Sequence, residues 1–125
     1  MTLSTIEQLS IAAAAADRTG AEDAVALDVS RPLPFVDAFL LVTGRSERGV
    51  SAIAREVEDA LNDAGVRTLR REGREAGRWA LLDFGDLVVH VFHEEERSFY
   101  ALDRLWSDCP VITVPVRDAA ETTAG

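Results

Sequence analysis

Two histidines, one cysteine and the turn Thr43-Gly44-Arg45-Ser46 are the positions at which this 125-residue chain has the means to do chemistry. His90 and His93 fall in a run of strand character, Leu87 to His93, at an odd separation. Their side chains therefore leave opposite faces and cannot share a metal. His90 near Asp83 has the residue types of a base and its orienter, but no serine or cysteine nucleophile accompanies them, and a structural histidine is the commoner role. The Gly44 turn before a helix has the form that cradles a phosphate on helical amides. A nucleotidyltransferase built on such a turn also needs a closely spaced acidic pair on the following strand to hold magnesium, and the candidate strand, Val66 to Glu72, offers arginine and threonine there. All thirteen basic residues are arginine, so lysine Schiff-base chemistry and a Walker-type phosphate loop are excluded. The chain is expected not to be an enzyme, with no catalytic residue, cofactor or metal. A nucleotide-handling enzyme of nucleotidyltransferase type, using the Gly44 turn, is the alternative.

The elements that must position these residues follow from size and pattern. The chain is 47% hydrophobic and 28% charged, with a mean hydropathy of +0.01, as in one compact globular domain. Its net charge of −9 repels phosphate backbones and favours a basic protein partner over direct nucleic-acid recognition. Cys109 is the only cysteine, so no internal disulfide forms and a cytoplasmic setting is expected. The longest apolar run, Ile11 to Ala16, is too short for membrane insertion or an export signal.

Ser4 and Glu7 make a capping box for a first helix, in which Ile6, Leu9, Ala13 and Ala16 form the apolar stripe and Gly20 the stop. Ala24 to Val29 reads as a strand. Asp37 to Thr43 reads as a second, continuously apolar from Ala38 to Val42 and therefore central. Ser46 caps a second helix with a stripe of Val50, Ile53, Ala54, Val57, Ala60, Leu61 and Ala64. Val66 to Glu72 has the charge of an edge strand, and Glu94 to Trp106 the spacing of a last helix.

Between these, Arg78 to Phe84 and Leu87 to His93 flank Gly85-Asp86, a two-residue hairpin turn with glycine first. That turn pairs Ala80 with Val91, Leu82 with Val89 and Phe84 with Leu87 on a wholly apolar face. The opposite face pairs Trp79 with Phe92, Leu81 with His90 and Asp83 with Val88, mixing large rings with titratable groups. Two readings of that face stand. It is ordinary core covered by helices, or Trp79 and Phe92 stay partly exposed as the aromatic centre of a protein interface. On the last helix, Arg97 and Tyr100 point away from the apolar side and are of the types that anchor interfaces.

The run Asp37-Ala38-Phe39 to Ser46, the series Trp79-Ala80-Leu81-Leu82-Asp83-Phe84-Gly85-Asp86, then His90-Val91-Phe92, Arg97-Ser98-Phe99-Tyr100-Ala101-Leu102 and Leu105-Trp106 resemble the ribosomal silencing factor family, also called RsfS or Iojap-like. The resemblance spans residues 5 to 107. It implies an α/β fold of nucleotidyltransferase-like form, a single domain with a mixed sheet of about five strands and helices packed on it, but no catalysis. It makes residues 1–107 the silencing-factor domain and leaves 108–125 as a C-terminal tail, expected to be partly disordered. It further implies a translation repressor that binds the large ribosomal subunit through its ribosomal protein number fourteen, blocks joining of the small subunit and dampens translation when nutrients are limiting. Free protein is expected as a homodimer, and an aromatic patch costly to leave wet points the same way. Trp79, His90, Phe92, Arg97 and Tyr100 are the expected partner-binding residues, with Asp83, Asp86 and Trp106 as further motif positions.

Overall fold

In the computed structural model, which describes residues 3–100 and 108–114 apart from the side chains of residues 98–100, the first helix is α1, Thr5–Arg18. The Ser4 hydroxyl accepts from the Glu7 N–H at 3.1 Å while the Glu7 carboxylate accepts from the Ser4 N–H at 2.8 Å, the reciprocal capping box the sequence announces. The buried stripe is turned from the expected one. Gln8, Leu9, Ala12, Ala15 and Ala16 face inward, and Ile6 is 44% exposed. Five consecutive alanines, Ala12 to Ala16, give no contrast between faces, so packing against the rest of the core decides which of them are covered.

Strands β1 (Glu22–Asp28), β2 (Ala38–Gly44), β3 (Arg70–Glu72), β4 (Trp79–Asp83), β5 (Leu87–His93) and β6 (Val111–Ile112) form one mixed sheet in the order β3-β4-β5-β2-β1-β6. β2 and β5 are its parallel centre, and both are buried along their whole length, which is why their sequences are apolar except at Thr43, His90 and His93. Among the described residues the sheet has six strands. The sixth comes from the segment expected as a tail: Ile112 and Val111 pair with Ala26 and Leu27, and Asp28 N–H donates to the Pro110 carbonyl at 2.8 Å. A two-residue strand carries too little pattern to be seen in a sequence. The remaining tail residues, 115–125, lie outside the described residues.

Helix α2 (Glu47–Asp63) follows β2, with the Ser46 hydroxyl accepting from Gly49 N–H at 2.9 Å. Val50, Ile53, Ala54, Val57 and Leu61 join Leu9, Leu40, Val42, Leu82, Val89 and Val91 in the main core, so α1 and α2 cover one face of the sheet. Glu58 lies in the same buried surface of α2, where Arg71 grips its carboxylate through two guanidinium nitrogens and Arg74 adds a bond of 2.6 Å. The Arg71 hydrogen bonds hold the Glu58 carboxyl below the ordinary carboxylate range against the opposing effect of burial. This clamp fastens the edge strand β3 to α2. β3 is shorter than expected because Asn62 Nδ2 binds the Val66 carbonyl and Thr68 hydroxyl, holding that stretch to the end of α2.

Candidate functional site

The hairpin forms in the register read from the sequence: Trp79 opposite Phe92, Leu81 opposite His90, Asp83 opposite Val88. Gly85 has φ +96°, the positive value a glycine-first turn needs, and Phe84 N–H closes it on the Leu87 carbonyl at 2.9 Å. Asp83 and Asp86 belong to this turn. The Asp83 carboxylate accepts from Gly85 N–H at 2.9 Å, and the Asp86 carbonyl accepts from Asp37 N–H and Ala38 N–H at the start of β2. Both motif aspartates thus shape the hairpin and dock it on the neighbouring strand.

The face of the sheet away from α1 and α2 carries a second core of Leu27, Val29, Phe39, Leu41, Val88 and Phe92, with Leu33, Val36 and Cys109 packed on it. Phe92 is only 1% exposed, which corrects the expectation that it stays partly open beside Trp79. His90 is 9% exposed, so it too is buried. Among the described residues, groups remote in sequence from the hairpin help to cover it: Leu33 and Val36 from the loop after β1, and Cys109. Trp79 differs, with 37% of its surface open at the rim.

The rings interlock. Trp79 and Phe92 centroids are 5.1 Å apart, tilted by 47°; His90 stacks parallel to Phe92 at 5.9 Å and meets Phe39 edge-on at 4.7 Å. Trp79 Nε1–H donates to His90 Nδ1 at 3.2 Å. An indole nitrogen only donates, so His90 Nδ1 must be bare and its proton must sit on Nε2. That Nε2–H is buried and has no hydrogen-bond partner among the described residues. Burial also drives the imidazole pKa down from 6.5 to about 4, so the ring is neutral at ordinary pH.

Arg97 lies on α3 (Glu94–Tyr100), half-buried, its guanidinium 6.0 Å from the Phe92 ring centroid and its Nη1 donating to the Thr43 hydroxyl at 3.0 Å. Thr43 pairs with Phe92 across the parallel centre of the sheet, so the arginine bridges β2 and β5 while remaining near the surface. Arg78, just before β4, binds Glu95 and Glu96 of α3 at 2.9 and 2.8 Å and lies 3.5 Å from Glu47 at the start of α2. Those contacts tie three elements together beside Trp79. The Tyr100 side chain and Trp106 lie outside the described residues.

Gly73 supports the backbone of the site in a way its sequence context hides. It has φ +77°, and an added Cβ would stand 2.1 Å from the Trp79 carbonyl oxygen. Gly73→Ala should therefore destabilise the domain by about 2 kcal/mol or more, since backbone strain and a backbone clash add. A thermal melt checks this; a loss below about 0.5 kcal/mol, typical of a neutral surface change, would contradict the close approach.

The other chemical candidates are accounted for by structure. His90 and His93 leave opposite faces of β5, and no group of acidic, histidine or cysteine side chains among the described residues has metal-site geometry. Gly44 is where β2 meets α2: an added Cβ would sit 2.9 Å from Val50 Cγ2, so close packing uses the glycine. The Ser46 hydroxyl is occupied as a helix cap, and Arg45 pairs with Glu22 at 2.5 Å. Among the described helices none is long and apolar enough to cross a membrane.

Residues 2–125 match the family model described as ribosomal silencing factor during starvation. The chain is 48% identical over 103 residues to the ribosomal silencing factor RsfS of Bacillus subtilis strain 168, covering 82% of this chain and 87% of that protein. It is 28% identical over 90 residues to the mitochondrial assembly of ribosomal large subunit protein 1 of Mus musculus, covering 70% of this chain and 40% of that one. A crystal structure of a protein from Chromobacterium violaceum superposes with a TM-score of 0.81 at 34% identity, over 84% of this chain and 88% of the other.

Proposed function

Because the chain belongs to the ribosomal silencing factor family, we propose that it represses translation by binding the large ribosomal subunit through its ribosomal protein number fourteen and keeping the small subunit from joining. Repression of this kind serves to dampen translation when nutrients are scarce, in the cytoplasm, with a homodimer as the free form. The observation that carries the reading is Trp79: a large aromatic side chain, 37% exposed, beside the rings of Phe92, His90 and Phe39, which are buried. Tryptophan and arginine at a packed centre dominate protein-interface energies, and Arg97 lies beside the same cluster. A net charge of −9 suits a basic ribosomal protein and disfavours RNA as the principal contact. The large-subunit name of the mouse relative points to the same half of the ribosome.

The action needs no chemistry from the protein. A domain seated on the face where the subunits meet blocks their association by occupying space, so its potency follows its affinity and concentration. The burial of Phe92 and His90 narrows the contact to the rim, and it also weakens the wet-patch argument for a dimer, which now rests on Trp79 alone of that cluster. Mixing large and small subunits with increasing amounts of the protein and separating them on a density gradient tests the proposal. Joined ribosomes should decline as the protein approaches saturation; an unchanged joined peak at saturating protein would overturn it.

A further inference from the structure

Resting on that reading, the geometry points to His90 as a positioning residue for the partner interface: its Nδ1 accepts the Trp79 indole N–H and so holds the exposed indole in its binding orientation, without touching the partner itself.

The surroundings of His90 favour an apolar side chain. Phe39, Phe92, Leu41 and Leu81 surround it through ring contacts and strand pairing, a setting that an apolar side chain would fill without penalty. Histidine instead buries an Nε2–H with no acceptor among the described residues. An unsatisfied buried donor is destabilising, so the imidazole is the less stable choice for the fold. What it alone supplies there is the bare Nδ1 facing Trp79. Trp79 sits on β4 beside the sheet's outermost strand, and its direct cross-strand neighbour Phe92 offers a ring but no polar atom. Stacking at 5.1 Å with a 47° tilt tolerates sliding and rotation, whereas an N–H···N bond at 3.2 Å fixes which edge of the indole points inward. Fixing a rotamer before binding removes an entropy cost from association, so a residue that makes no contact still strengthens the complex. His90 reaches Trp79 diagonally across the hairpin, two residues from Phe92 on the same face, a spacing aromatic side chains span readily.

The two variants His90→Phe and His90→Asn separate positioning from simple packing. Phenylalanine keeps a ring in the core but has no acceptor, while the asparagine Oδ1 falls near the place of Nδ1 and accepts the indole N–H. Each is measured for thermal stability, for the indole N–H resonance and indole mobility by NMR in a Trp106→Phe background, and for affinity to purified large ribosomal subunits. His90→Phe should melt no lower than wild type, shift the Trp79 indole resonance away from its hydrogen-bonded position, raise the indole's mobility, and bind the subunit about tenfold more weakly, the worth of one neutral hydrogen bond. His90→Asn should recover most of that affinity. Positioning is overturned if His90→Phe binds as wild type does, or if both variants lose affinity in proportion to lost stability. If wild type itself fails to bind large subunits, the interface reading falls and the positioning role with it. The indole resonance, read in free protein, still reports whether the hydrogen bond exists.

Discussion

Trp79→Ala should weaken binding to the large ribosomal subunit at least about thirtyfold, the equivalent of roughly 2 kcal/mol for an aromatic anchor. Among the described residues the side chain, 37% exposed, joins a continuous stack: Trp79 on Phe92, Phe92 parallel to His90, His90 against Phe39. Because the inner rings are buried, they give the indole a rigid base. The substitution also strands His90 Nδ1 and uncovers part of Phe92, so some stability is lost as well. That loss should remain smaller than for Leu82→Ala, on the opposite face, where a side chain with no exposure leaves a cavity costing about 2–5 kcal/mol. Melting both variants beside a binding assay checks the prediction. Equal destabilisation of the two, or wild-type binding by Trp79→Ala, would make Trp79 a core residue and nothing more.

The second large effect is on acid stability. His90 carries a pKa of about 4 in the folded protein because burial disfavours its cation, against 6.5 when unfolded. The folded value is the lower one, so the contribution to stability is complete above pH 6.5 and is lost as pH falls from there towards 4. Protonation of the unfolded chain over that window should remove about 3 kcal/mol. Urea unfolding at a series of pH values, wild type against His90→Phe, isolates the effect from the carboxylates that also titrate below pH 5. The two stability curves should diverge below pH 6.5, with the phenylalanine variant the more stable. Parallel curves would contradict a buried neutral imidazole.

Local signals made much of this molecule legible. The Ser4 and Ser46 caps, the Gly85 turn and the hairpin register depend on residues within a few positions of one another, and they form as read. What escaped depends on distant segments. Nothing near Phe92 in the sequence shows that Leu33, Val36 and Cys109 pack over its side of the sheet, so the mixed face looked more open than it is. The burial of Glu58 depends on Arg71 and Arg74, thirteen and sixteen residues on, folding back onto it. The Arg97 bond to Thr43 spans 54 residues and exists only because β2 and β5 run parallel in a register that sets Thr43 beside Phe92. The indole bond to His90 was half visible: the pairing put both residues on one face, but a strand pattern does not say which ring nitrogen meets which neighbour.

The most direct measurement of the central claim is sedimentation of the purified protein with separated ribosomal subunits, with Trp79→Ala alongside. Wild type should pellet with the large subunit and remain in solution with the small one, and the alanine variant should stay in solution with both at concentrations where wild type is fully bound. Wild-type pelleting with the small subunit, or with neither, would contradict the account.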